Sequence, residues 1–272
     1  MVRRSALLLV AFAALAVVPS ALGAFPAPYA VQGGDGVLSS DGSTQFVALK
    51  SGANTLVKAV ATETGAAVRQ RTVSGPFGVP VLTQSGFAGG LFHDGSALVL
   101  QNVGLEPVSR FLILDTANLA TRDTIALKGT FGFDALSPDG SRLYLIQHTS
   151  TDDVEHYIVR AYDLATHTLL PGRIADKTQK SWVMQGWAIS RATTADGRWD
   201  YTLYANPGGY PFIHALDTVR GVAHCIGLPW TAVQDPVYTF TLALNGNKLA
   251  VKWQDGRTWR RVDTKSWRIT KP

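Results

Sequence analysis

Three acidic residues and one arginine carry the charges that could do chemistry in this chain. Asp35, Asp134 and Asp235 are widely spaced in the sequence. A hydrolase that acts on sugars needs two carboxyl groups roughly 5–10 Å apart around one bond. Arg191 could pair with one of these carboxylates, either as a structural salt bridge or as the polar floor of a pocket for an anionic or sugar ligand. The chemistry therefore depends on which of these residues the fold brings together.

Motifs for other common chemistries are missing. The sequence lacks the Gly-x-Ser-x-Gly elbow, the Walker loop and the Rossmann glycine fingerprint. Its 6 histidines show no His-x-His or His-Glu-x-x-His spacing, and the acidic cluster Asp152-Asp153-Glu155 lacks the ligand alternation and glycine of a calcium loop. We therefore predict no metal and no cofactor, and we assign no catalytic residue.

The composition favours a single folded β domain. The 272 residues are 46% hydrophobic and 17% charged, with 26 glycines, which excludes a disordered or coiled-coil chain. Positive charges are dispersed without a run of five, so nucleic acid is not an expected partner. Cys225 is the only cysteine, so no intrachain disulfide can form, and its apolar neighbours predict a buried side chain rather than a catalytic thiol.

The first 23 residues resemble a secretory signal peptide. Arg3 and Arg4 form a positive start, residues 6–18 form an apolar run, and Ala21-Leu22-Gly23 offers small residues at the −3 and −1 positions of a cleavage site. The apolar run is too short to cross a bilayer core of about 30 Å as a helix. We predict export to the cell envelope or the exterior and a mature domain of residues 24–272 without a transmembrane segment; an uncleaved anchor is the alternative.

Two short sequence signals recur along the mature chain. The first is a tight-turn signal of the Asp-Gly or Asn-Gly type, because such turns need the positive φ that glycine adopts freely. Its copies are Ser40-Asp41-Gly42, His93-Asp94-Gly95, Pro138-Asp139-Gly140, Ala195-Asp196-Gly197 and Leu244-Asn245-Gly246. The second follows the glycine after a further strand-like run, and its copies are Ala61-Thr62, Asp115-Thr116, Asp163-Leu164, Asp217-Thr218 and Asp263-Thr264.

This spacing predicts five units of four antiparallel strands. Each unit reads strand, Asp-Gly turn, strand, loop, strand, Asp-Thr turn, strand, which is the arrangement of a propeller blade. A ring of such sheets buries faces that one sheet cannot bury alone. We predict an all-β, single-domain propeller of five blades, or six if one is hidden in residues 65–92 or 165–193; a β-sandwich fits the five repeated units less well.

The third unit carries a family resemblance. The segment Leu136-Ser137-Pro138-Asp139-Gly140-Ser141-Arg142-Leu143-Tyr144-Leu145, continued by residues 159–166, resembles the YVTN or WD40-like β-propeller repeat. The resemblance covers most of residues 25–272 and implies a propeller fold, but it implies no catalytic residues. The Trp-Asp dipeptide of WD40 proteins is absent at the ends of the blades.

Alignment of the five units on their turn glycines places Asp134 and Arg191 in one column of adjacent inner strands. We therefore expect them to meet across a central channel. Aromatic residues crowd the last two units and mostly predict packing between blades. Within loops, Trp182 and Trp187 in the segment 176–187 and Tyr210 in the turn 206–211 are candidate recognition residues.

We expect a non-enzymatic, monomeric recognition or scaffolding module that binds through the channel face. Its partner would be an envelope protein or a small polar or sugar ligand. The alternative is an extracytoplasmic hydrolase or lyase that acts on a carbohydrate or lactone with channel carboxylates as acid and base.

Overall fold

The computed structural model describes residues 28–150, 155–178, 183–206, 209–230 and 235–272. The predicted signal peptide, Trp182, and Asp152 and Asp153 of the acidic cluster lie outside these residues. The start assigned to the mature domain, Ala24, also lies outside them.

Five antiparallel sheets follow one another along the chain and form five blades, as the sequence predicts. In blade 1 the strands, from the inner to the outer, are β2 (Val37–Leu38), β3 (Thr44–Ser51), β4 (Asn54–Ala61) and β5 (Ala67–Val73). Blade 2 consists of β1 (Tyr29–Val31), β6 (Phe77–Val81), β7 (Ala97–Asn102), β8 (Val108–Asp115) and β9 (Thr121–Lys128).

The remaining blades repeat the same order. Blade 3 contains β10 (Phe131–Leu136), β11 (Arg142–His148), β12 (His156–Asp163) and β13 (Thr168–Leu169), and β14 (Met184–Gln185) also pairs with β12. Blade 4 contains β15 (Trp187–Thr193), β16 (Trp199–Ala205), β17 (Phe212–Asp217) and β18 (Val222–Gly227). A short 3-10 helix (Asp235–Thr239) precedes blade 5, which contains β19 (Thr241–Asn245), β20 (Lys248–Lys252), β21 (Thr258–Asp263) and β22 (Ile269–Thr270).

The two recurring turn signals lie at the same end of each blade and are bonded to each other. Gly197, at the first turn of blade 4, has a φ of +68°, which a residue with a Cβ adopts only with strain. The Thr218 hydroxyl, at the second turn, donates to the Gly197 carbonyl at 2.9 Å. Thr116 makes the same bond to Gly95 at 2.6 Å in blade 2. Where the second signal contains threonine in blades 1, 2 and 4, its side chain therefore ties the two turns of the blade together.

The apolar core lies between successive blades. Separate clusters of buried side chains join blades 1 and 2, 2 and 3, 3 and 4, and 4 and 5. Within the ranges given above, no such cluster, hydrogen bond or salt bridge joins blade 5 to blade 1. No sixth blade lies in the described parts of residues 65–92 and 165–193. These segments supply strands of blades 1 to 4.

The inner edge of blade 2 differs from the repeat. Strand β1 pairs antiparallel with β6 on the side that faces the centre, so that Ala30 lies opposite Pro80. The inner strand is also interrupted: after β6 the chain leaves the sheet, and it returns at Leu91, which bridges to Leu98 of β7. The sequence signals did not predict either feature.

Candidate functional site

The Asp134 and Arg191 side chains meet between the inner strands of blades 3 and 4. Asp134 lies at a β-bulge of β10, where the pairing with β11 shifts between Phe133 and Ala135. A bulge redirects the side chain of the extra residue. Arg191 lies in β15 and pairs with Thr202 of the neighbouring strand. The contact that the repeat alignment predicts is therefore present.

All three guanidinium nitrogens of Arg191 donate hydrogen bonds to protein oxygens. Its Nη1 donates to the Asp134 main-chain carbonyl at 2.6 Å and its Nε donates to the Thr202 hydroxyl at 2.9 Å. Its Nη2 donates to the Asp134 carboxylate. Asp134 and Arg191 are only 3% and 7% exposed. Burial by itself would lower the pKa of Arg191, but the Asp134 and Asp200 carboxylates raise it, so the arginine stays charged.

A second carboxyl group lies near this pair, and sequence reasoning missed it. Asp200 is buried in β16, accepts a hydrogen bond from the Thr193 hydroxyl at 2.5 Å, and interacts electrostatically with Arg191 and Asp134. Burial raises the pKa of Asp200, and the charge of Arg191 partly opposes that rise. An aspartate inside the strand-like run Trp199–Ala205 was the only available signal.

Further polar side chains line the same face of blade 4. His214 of β17 lies opposite Thr202 on one side and Cys225 on the other. It is 2% exposed, its Nε2 has no hydrogen-bond partner, and burial lowers its pKa to about 4. Cys225 is partly buried and burial raises its pKa to about 12, which describes an unreactive thiol. These groups form a polar layer between blades 3 and 4.

Segments of the chain itself lie close to the inner strands that carry this pair. Strand β1 occupies the inner edge of blade 2, and a Cβ on Gly132, in the inner strand of blade 3, would lie 2.5 Å from the Pro28 side chain. The segment after β6 crosses to blade 4, where the Gln84 amide donates to the Ala188 carbonyl at 2.9 Å. Both segments therefore run along inner strands, and Asp134 and Arg191 are almost fully buried. Binding through the channel face stays a prediction.

The other two carboxylates proposed from sequence come from segments that precede inner strands. Asp35 is exposed ahead of β2, and its main-chain carbonyl accepts a hydrogen bond from the Gln45 side chain. Asp235 begins the 3-10 helix before β19. The salt-bridge partner of Asp134 is Arg191.

The candidate recognition residues have different environments. Trp187 is partly buried at the start of β15, and its Nε1 donates to the Glu155 carboxylate at 3.2 Å. Tyr210 is 66% exposed. Asp176, which opens the predicted recognition segment, is buried, accepts a hydrogen bond from the Cys225 amide at 2.8 Å, and lies 2.9 Å from Nδ1 of His224. This end of the segment is thus anchored to blade 4, whereas Tyr210 is available to a partner.

In the described part of the chain, no group of three or more His, Cys, Asp or Glu side chains could hold a metal ion. Within the same ranges, no helix has the length and apolar character needed to cross a bilayer.

The comparisons with known proteins support the fold. No family model matches the chain, and no curated protein matches it. Among solved structures, the chain is similar to the β-propeller domain of Cps50 (Swd1) from Myceliophteria thermophila, with 10% identity, a TM-score of 0.51, and 86% of this chain and 68% of that one covered. It is also similar to TolB from Acinetobacter baumannii, with 13% identity, a TM-score of 0.44, and coverage of 84% and 53%.

The chain folds as a β-propeller. The likeness to Cps50 and the five antiparallel sheets of four or five strands establish this architecture. The chain spans about half of the Acinetobacter TolB chain. Membership of the YVTN repeat family stays a prediction, because the identities are too low to show more than the fold.

Proposed function

We propose that the protein is an exported β-propeller that acts as a non-enzymatic recognition or scaffolding module of the cell envelope. The main support is that the Asp134–Arg191 pair is buried and hydrogen-bonded within the protein. Each guanidinium nitrogen of Arg191 donates to a protein oxygen, and both residues are almost fully buried. The charges that could have done chemistry are thus used to join two blades.

The alternative, a hydrolase or lyase with channel carboxylates, has less support. General acid–base catalysis needs groups within hydrogen-bond reach of a bound substrate. Asp134 and Asp200 are 3% and 7% exposed and are bonded to Arg191 and Thr193. Asp35 is exposed in another part of the molecule. A rigid scaffold with exposed loop residues such as Tyr210 fits recognition better.

A turnover assay tests the non-enzymatic part of this proposal. Wild type and Asp134→Asn are incubated with aryl glycosides and lactones at a temperature where circular dichroism shows both proteins folded. We expect no turnover above buffer for either protein. Turnover by wild type that disappears in the folded Asp134→Asn variant would overturn the proposal in favour of the hydrolase.

Export is tested by expressing the full chain in a bacterial host and sequencing the N-terminus of the product. We expect the product outside the cytoplasm, with Ala24 as its first residue, because the small residues before it match a cleavage site. A cytoplasmic product that retains Met1 would contradict the export part of the proposal.

A further inference from the structure

A cleft of about 810 Å³ opens between the outer parts of blades 1 and 2. Its apolar lining includes Val73 of β5, Phe77 of β6 and Leu112 of β8, all three of which are buried. Ligand pockets commonly have volumes of about 300–1,000 Å³, mostly apolar walls and a few polar groups that fix the ligand. The volume of this cleft lies within that range, and buried apolar side chains form part of its wall.

Arg71 lies on the blade 1 wall of the cleft. In the register of the sheet it pairs with Val57, which is fully buried in the cluster that also contains Leu112 and Leu114 of blade 2. Directly paired residues of neighbouring strands project from the same face. Arg71 is therefore on the side of β5 that faces blade 2, while its own side chain is exposed.

Arg110 lies on the opposite wall. It precedes Leu112 by two residues in β8, so both project from the face of blade 2 that packs against blade 1. The Arg110 amide donates to the Asn102 side chain at 2.6 Å, which fixes the backbone at this point. Its guanidinium makes only a long contact, 3.4 Å, with the Val108 carbonyl.

Neither arginine has a carboxylate partner among the described residues. By contrast, Arg122, Arg198 and Arg257 each form a salt bridge with an aspartate. Glu106 is the one acidic residue in the lining of the cleft, against the two arginines. Two unpaired guanidinium groups above an apolar floor attract an anion and present forked donors to its oxygens.

We propose that this cleft binds an organic dianion, a molecule with an acidic group at each end of an apolar body, such as a linear dicarboxylate. One carboxylate contacts Arg71 and the other contacts Arg110, while the chain between them covers Val73 and Leu112. The inference rests on the proposed recognition function and specifies its ligand class and its site.

Calorimetric titration of the purified protein with suberate tests this site, with 1,8-octanediol and inorganic phosphate as the other probes. We compare wild type with Arg71→Gln and Arg110→Gln. Arg220→Gln is the matched control, because Arg220 is exposed in a turn of blade 4 outside the cleft. All four proteins should unfold at the same temperature without ligand, because the substituted side chains are exposed.

We expect suberate to bind wild type and Arg220→Gln equally, and each cleft variant to bind about tenfold more weakly or worse. Affinity should also fall as salt is raised. The diol should not bind, and phosphate should bind much more weakly than suberate. No suberate binding by wild type, equal binding by the cleft variants, or equal binding of phosphate would overturn the inference.

These outcomes separate the two proposals. If another member of a ligand panel binds and the cleft variants bind it normally, the recognition function stands and the cleft assignment fails. If suberate or a glycoside is consumed, the recognition function itself fails.

Discussion

Arg191 of blade 4 donates from Nη1 to the main-chain carbonyl of Asp134 in blade 3 at 2.6 Å, and from Nη2 to the carboxylate of the same residue. One arginine therefore holds both the backbone and the side chain of a bulged residue in the neighbouring blade. Such a contact fixes the position of the two inner strands relative to each other.

Breaking this pair should destabilise the fold strongly. Asp134→Asn or Arg191→Met leaves a charge buried without its partner, which costs about 3–5 kcal/mol of unfolding free energy. The double variant Asp134→Leu/Arg191→Met should lose clearly less than the sum of the two single losses, because neither member of the pair is left buried without the other. Urea unfolding monitored by circular dichroism measures all of these quantities. Additive losses would show that the pair is not coupled.

The exposed pair Arg257–Asp255 provides the control for this experiment. Its side chains are 78% and 51% exposed, and salt bridges in water contribute little. Asp255→Asn should leave the unfolding midpoint unchanged.

The buried ring of His214 predicts a loss of stability in acid. Burial lowers the pKa of His214 to about 4 in the folded state, whereas an unfolded histidine titrates near 6.5. The unfolded chain therefore binds the proton more readily, and stability falls as the pH drops from about 6.5 towards 4, by up to roughly 3 kcal/mol from this residue. Asp134, Arg191 and Asp176 are the charged groups that act on His214.

Urea unfolding of wild type and His214→Gln at pH 7 and pH 4.5 checks this prediction. The acid-induced loss should be smaller in His214→Gln, because glutamine binds no proton. His167→Gln is the control, since the His167 side chain is 58% exposed. An identical acid-induced loss in wild type and His214→Gln would contradict the assignment.

The hydrogen bonds from threonine that tie the two turns of a blade together should stabilise the fold more where they are more buried. Thr218 is fully buried, and its hydroxyl donates to the carbonyls of Gly197 and Arg198, both at 2.9 Å. Thr218→Val should cost about 1–2 kcal/mol, because it removes a buried hydroxyl that donates to the part-buried Gly197 carbonyl. The equivalent bond from Thr62 to Gly42 in blade 1 is exposed, so Thr62→Val should cost much less. Thermal unfolding measures the stability of both variants. An equal loss of stability in Thr218→Val and Thr62→Val would contradict the prediction that burial strengthens the Thr218 bond.

The docking of β1 at the inner edge of blade 2 can be tested through Gly78. A Cβ at Gly78 would lie 2.6 Å from the backbone of Val31, and the φ of Gly78 is not in the left-handed region. Gly78→Ala should therefore displace β1 and cost about 1–3 kcal/mol through overpacking alone. Hydrogen exchange of residues 29–31 should become faster.

Gly227→Ala is the matched control for β1 docking. Gly227 also lies in a strand without a positive φ, and a Cβ there meets nothing within 4 Å. It should keep the stability of wild type and the slow exchange of residues 29–31. Slow exchange in Gly78→Ala as well would show that β1 does not occupy this position.

The repeating part of the fold could be predicted because its signals are local. Each Asp-Gly turn needs a residue with positive φ, and each Asp-Thr turn supplies a side chain that bonds back to the first turn. Aligning the units on their glycines also brought Asp134 and Arg191 together, because equivalent positions of neighbouring inner strands are adjacent in a propeller.

The features that decide which side chains a ligand can reach could not be predicted from these local signals. Strand β1 has three residues and no turn signal of its own, and its partner β6 lies far along the chain. The crossing from Gln84 to Ala188 and the cleft beside Arg71 and Arg110 arise from contacts between blades. A sequence pattern of local turns contains no information about such long-range contacts, so the position of β1 and the outer cleft became visible only in three dimensions.

A ligand screen with recovery of every compound tests the central claim, that the protein recognises a molecule without converting it. The purified protein is heated with a panel of organic anions, sugars and cell-wall fragments, and each compound is analysed by mass spectrometry after long incubation. A ligand at a hundred times its dissociation constant adds about 2.7 kcal/mol to the stability of the folded state. We predict a raised unfolding midpoint with at least one organic anion and recovery of the whole panel unchanged. Consumption of any compound in excess of the amount of protein present would contradict the account.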